Sequence, residues 1–145
     1  MPVDGRIRAY YWSLRVFLEE KATILNPEHP DYRFPEDDNL VYYTHHLQGC
    51  LVFRDGSRLR FELALGFDEA YNVVEKRYFY GYFDPSEVRR FQYDNSPHHP
   101  HLSTFPHHLH KGPVPRKGRD MALDCDLAEV NFIAIVSEIE ELLMQ

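Results

Sequence analysis

VYYTHHLQGCLVFR (residues 41–54), DGS (55–57) and RLRFELAL (58–65) decide the fold of this chain. The last of these stretches alternates without a break. Leu59, Phe61, Leu63 and Leu65 fall on one face, and Arg58, Arg60, Glu62 and Ala64 on the other. A period of two marks a strand with one buried face. Asp55-Gly56-Ser57 supplies the turn before it, because Asp-Gly accepts the positive φ of a tight hairpin. Residues 41–54 then read as the partner strand, with Gly49 as the place for a bulge.

The same logic runs outward from the hairpin. Residues 75–84 (EKRYFYGYFD) put Tyr78, Tyr80 and Tyr82 on one strand face as a packed aromatic surface. Asp84-Pro85-Ser86 turns the chain, and residues 88–94 (VRRFQYD) make a further strand that ends at Asp94. Upstream, Ile7, Tyr11, Leu14 and Leu18 recur at helical spacing within residues 6–20, beside Tyr10 and Phe17. Prolines and acids mark residues 26–39 (NPEHPDYRFPEDDN) as a loop in which His29 is a surface residue. Near the other end, Asp126 and Glu129 resemble a capping box. Leu127, Val130, Ile133, Ala134 and Leu142 would be the apolar side of a helix of about four to five turns. Hairpins followed by a terminal helix indicate α+β rather than alternating α/β. The expected architecture is one domain over residues 1–145: an antiparallel sheet of four to five strands with N-terminal and C-terminal helices packed on one face.

Composition narrows the function. A chain of 145 residues, 43% of them hydrophobic, suffices for one domain with a proper core. Its longest apolar run, Phe132 to Val136, falls far short of the ~20 residues of a membrane span. Asp4, Arg6 and Arg8 precede any apolar stretch, so no secretory signal is expected. Cys50 and Cys125 lack the spacing of a zinc knuckle or a disulfide framework, which points to a reducing, cytoplasmic setting. The net charge of -7 conceals an asymmetry: Ser86 to Arg119 holds six Lys/Arg against two acids, and the remainder ten against twenty-one. A basic patch on an acidic body can focus a polyanion, although the plainer reading is a solvated loop.

That basic segment is also where the histidines are. Six of the nine fall between His98 and His110, stiffened by Pro97, Pro100 and Pro106. No core needs that composition. Clustered imidazoles suit proton transfer, metal ligation or phosphate contact. His45 and His46, by contrast, sit in a strand and read as sheet residues.

Several motifs taken together resemble the TumE-type toxin family, small bacterial and archaeal proteins encoded beside an antitoxin. They are Asp55-Gly56-Ser57, Glu62 on the returning strand, Tyr78 and Tyr80, Tyr93-Asp94-Asn95, Pro97-His98-His99-Pro100, and Thr104-Phe105-Pro106-His107-His108 with His110. The resemblance runs from about Gly49 to His110 and more loosely to the C-terminal helix. It implies a ribonuclease-like growth inhibitor held silent by a cognate, DNA-binding antitoxin, and it makes Glu62 a candidate site residue. Two departures stand out. Members usually carry Lys where this chain has Leu109, so a cation that could touch phosphate is missing there. The N-terminal forty residues are also longer and more aromatic than in the family.

Metal-independent RNA cleavage needs a base for the 2′-OH, an acid for the 5′-oxygen and a cation for the phosphorane. Histidines near pKa ~6.5 can share the first two tasks. On this reading His98, His99, His107, His108 and His110 supply acid–base groups, the two pairs facing one another across a groove. Asp94 orients a ring, Arg90 and Lys111 hold phosphate, and Tyr93 and Phe105 stack a base. No cofactor is required, although a metal ion fits the alternative in which His99, His101, His108 and His110 ligate and the protein is a metallohydrolase. A third reading is a non-enzymatic module whose His/Pro segment engages a protein partner. The expected partners are RNA and an antitoxin, with no membrane.

Overall fold

In the computed structural model, which describes residues 4–37 and 45–145, the alternation of residues 58–65 becomes strand β2 (Arg58–Phe67). Leu59, Phe61, Leu63 and Leu65 are buried, while Arg60 and Glu62 face outward. β2 pairs antiparallel with β1 (His46–Val52) on one side and β3 (Val73–Phe83) on the other. β4 (Arg89–Asp94) and β5 (His108–Lys111) extend the sheet in chain order, giving a five-stranded antiparallel meander. Val41 to Thr44, the start of the expected first strand, lie outside the described residues.

Helix α1 (Gly5–Glu19) buries Ile7, Tyr11, Leu14 and Leu18, the four positions that its spacing predicts. Asp4 caps it by accepting the Arg6 N–H at 2.8 Å. Helix α2 (Phe132–Leu143) packs on the same face of the sheet. Phe132, Ile135, Val136 and Ile139 join the α1 residues and the inward strand residues in one core, which Tyr78, Tyr80 and Tyr82 complete. Each such aliphatic or aromatic side chain contributes about 1.5–3 kcal/mol by leaving water.

The C-terminal helix differs from expectation in its start and its face. Its cap is Asn131, whose side chain accepts the Ala134 N–H at 2.8 Å, so it is a little over three turns long. Asp126 instead accepts the Tyr93 hydroxyl at 2.5 Å. Starting later turns Ile133 and Leu142 outward, and Leu127 and Val130 reach the core from the segment ahead of the helix.

One polar group ties the layers together. Glu75 on β3 accepts the Tyr10 hydroxyl from α1 at 2.5 Å, the Tyr80 hydroxyl, and the Phe132 N–H that opens α2 at 2.9 Å. Burial raises its pKa above the usual carboxylate value, outweighing three donors that favour the ionised form. A raised folded-state pKa contributes stability that is present below the unfolded pKa and lost as pH rises through the folded one. Glu75→Gln should therefore destabilise the fold by about 1–3 kcal/mol in urea titrations, with a larger gap at pH 4 than at pH 8. A pH-independent gap would contradict this.

Candidate functional site

Residues 108–111 read His-Leu-His-Lys, with one apolar side chain, and periodicity alone gives no strand there. The structure makes them β5. Asp94 pairs with His108, Tyr93 with Leu109, and Gln92 with His110. Leu109 and Tyr93 are buried in the core, so the strand's alternation sends His108 and His110 to the opposite face beside Asp94 and Gln92. The free edge of β5 is closed by Leu123, which exchanges backbone hydrogen bonds of 3.0 and 2.8 Å with Leu109.

The loop between β4 and β5 folds back over this face. His99 adopts a left-handed backbone, φ +60°, and its ring lies 5.0 Å from that of His108 and 5.9 Å from that of His110, centroid to centroid. His108 is 2% exposed and His110 6%. His108 Nε2 meets Asp94 Oδ1 at 2.8 Å, and its Nδ1 meets the Pro106 carbonyl at 3.0 Å. Asp94 is itself held by the Gln92 side-chain amide at 3.0 Å and the Ser96 N–H at 3.1 Å. His110 Nδ1 lies 2.9 Å from the Met121 carbonyl. Burial, with the neighbouring His108 and His110 rings, lowers the pKa of His99 below the ordinary histidine value.

An ion pair between a buried arginine and a partly exposed aspartate braces the cluster. A bulge between Tyr82 and Phe83 breaks the β3–β4 register, so Arg89 pairs with Phe83 and shares the outer face with Gln92. Its guanidinium, 3% exposed, forks onto Asp120 at 2.7 and 2.6 Å and donates to the Gly112 carbonyl at 2.9 Å. Asp120 in turn lies 3.4 Å from His110 Nδ1, and Arg89 lowers its pKa. Arg89 and Asp120 escape sequence reading because only the bulge reveals which of two adjacent arginines is buried against the histidine face. Asp120→Ala should cost about 3–5 kcal/mol in chemical denaturation by leaving the Arg89 charge buried and unpaired; a loss under ~1 kcal/mol would show that the pair does not brace the site.

Of the residues expected to form the site, the structure brings together His99, His108, His110 and Asp94. His98 and His101 are exposed on the rim, 6.3 and 5.9 Å from the His99 ring. One member of each His pair meets the other, while His107 turns away. Its ring stacks on Tyr78 at 11°, with Nδ1 2.7 Å from the Tyr78 hydroxyl, at a 430 Å³ cavity on the helix side. Cys125 lines that cavity, its thiol pushed up to about 11 by burial. Tyr93 lies in the core, Phe105 is exposed, and Lys111 Nζ lies 3.6 Å from Asp126. Arg90 is exposed beside the bulge. Leu109 corrects the reading of its position as a lost phosphate contact, because that position faces the core. Glu62 is exposed on the sheet's outer face, two strands from Asp94.

Two chemistries fit this geometry. An imidazole held by a carboxylate, next to a freer imidazole, can move protons. The ligand nitrogens of His99, His108 and His110 also lie within 4.8 Å of one another; the Met121 carbonyl on Nδ1 leaves Nε2 of His110 free to ligate a transition-metal ion, whereas Nε2 of His108 would have to exchange Asp94 for the ion. Among the described residues no helix is long and apolar enough to cross a membrane.

A family model described as Toxin TumE matches residues 15–143. No curated protein and no solved structure matches the chain. Spanning nearly the whole fold and every residue of the histidine cluster, the family match shows that the chain belongs to the TumE toxin family.

Proposed function

We propose that this protein is the RNA-cleaving toxin of a toxin–antitoxin pair and that it cleaves by imidazole acid–base chemistry at His99, His108 and Asp94. One observation carries the reading. Both nitrogens of His108 face oxygen acceptors, Asp94 at 2.8 Å and the Pro106 carbonyl at 3.0 Å, so the ring satisfies both only with two protons. It is a positioned acid. His99 is the more exposed ring and makes no side-chain hydrogen bond among the described residues, leaving a lone pair free.

In this mechanism His99 removes the 2′-OH proton and the 2′-oxygen attacks the adjacent phosphorus. The P–O5′ bond breaks as His108 turns its Nε2–H from Asp94 to the leaving 5′-oxygen and gives up that proton. The products are a 2′,3′-cyclic phosphate and a 5′-hydroxyl. Asp94 stabilises the imidazolium and orients the ring until that transfer. The basic segment from Arg89 to Arg119 attracts the polyanion. A cognate antitoxin, DNA-binding in the usual arrangement of such pairs, would keep the site silent in the cytoplasm.

The convergence of three imidazoles favours a second reading, a metallohydrolase, in which a bound ion would activate water. A single assay separates the two. Purified protein incubated with RNA and EDTA should cleave, and His108→Ala should lower the rate by about 10²–10⁴-fold. His101→Ala, on the rim, should stay within a few-fold of wild type. Activity abolished by EDTA and restored by a divalent transition metal would replace the acid–base reading with the metal one. A folded protein that cuts no RNA under either condition would leave the non-enzymatic module.

A further inference from the structure

Both helices pack on one face of the sheet, and the opposite face is built unlike a surface that merely meets water. Phe79, Gly81 and Phe83 follow one another along β3 on this side. Gly81 has no side chain, and the two rings close over it: a Cβ there would lie 3.0 Å from Phe83 and 3.1 Å from Phe79. Neither ring belongs to the core cluster, and both are half-buried. The Arg60 guanidinium stands over the Phe83 ring, 4.6 Å from its centroid, and donates to the exposed Glu87 carboxylate at 3.1 Å, a surface pair that a phosphate would have to displace. Arg77, exposed two residues before Phe79, makes no ion pair among the described residues. The result is a half-buried aromatic platform edged by arginines.

The platform leads directly to the histidines. Register places Glu62, Phe79, Asp94 and His108 in one cross-strand row, and Arg60, Gly81, Gln92 and His110 in the next. Phe79 is therefore two inter-strand spacings, about 10 Å, from His108. A groove of about 290 Å³ lined by His46, Glu62, Arg77, Phe79, Asn95 and Ser96 runs between the platform and the start of the histidine loop.

We infer that this sheet face is a docking track for single-stranded RNA. Bases stack on Phe79 and Phe83, Arg60 and Arg77 take phosphates, and a neighbouring phosphate reaches His99 and His108. The inference rests on the ribonuclease reading above for its substrate. A sheet presenting two aromatic rings beside cations suits splayed, unpaired bases and offers nothing to the closed grooves of a duplex. Glu62, beside Phe79 in the cross-strand row, opposes the phosphates, and its charge limits affinity.

The test is binding of a 2′-O-methyl single-stranded oligonucleotide, which lacks the attacking hydroxyl and stays intact, followed by fluorescence anisotropy at fixed salt. Phe79→Ala and Phe83→Ala should each weaken binding on the order of tenfold. The double variant Arg60→Glu/Arg77→Glu, which alters exposed side chains only, should also weaken it and flatten its salt dependence. Glu62→Gln should tighten binding, and a duplex of the same sequence should compete poorly. Wild type that fails to bind, or charge variants that bind as wild type does, would overturn the inference. Binding that needs this face in a protein that cuts no RNA would remove the ribonuclease reading alone. RNA cleavage with binding untouched by these substitutions would remove the docking track alone.

Discussion

The site depends on Leu109 facing Tyr93 across the β4–β5 pair. β5 has four residues and one apolar side chain, so its register is set by burying that leucine in the core. Strand alternation does the rest. With residue 109 inward, His108 and His110 point outward, and pairing with β4 brings them beside Asp94 and Gln92. A one-residue slip would bury two imidazoles and expose the leucine.

Rigidity follows from the same arrangement. Histidines on a floppy loop would sample many geometries, and acid–base catalysis rewards few of them. Here His108 and His110 sit on a strand whose other edge is closed by Leu123, and each ring contacts a backbone carbonyl through Nδ1. The Arg89–Asp120 fork, buried on the arginine side, holds the segment after β5 against β4. On the far side of the sheet Glu75 collects donors from α1, β3 and α2, so the layers behind the site are fixed to each other.

Long elements with strong periodicity were legible from composition and spacing. β2 alternates through Leu59, Phe61, Leu63 and Leu65, and α1 repeats Ile7, Tyr11, Leu14 and Leu18; both pack as those patterns require. The tyrosines of β3 are core residues, as strand alternation suggests. Legibility fails where tertiary contacts decide. β5 is too short and polar to announce itself. The start of α2 turns on whether Asp126 or Asn131 caps it, and Asp126 is already bound to Tyr93. Which arginine turns inward depends on a bulge with no local signature. Within the histidine segment, composition marks the region but not the division of labour. Only the fold separates His108, against Asp94, from His107, against Tyr78.

In the proposed reaction the phosphodiester bond breaks by attack of its own 2′-oxygen, with His108 as the acid. The chemistry of the cut ends tests that most directly. RNA digested by the purified protein and analysed by mass spectrometry should end in 2′,3′-cyclic phosphate and 5′-hydroxyl. Fragments carrying 3′-hydroxyl and 5′-phosphate ends would mean that water was the nucleophile, and would contradict the assignment of His99 and His108 as base and acid.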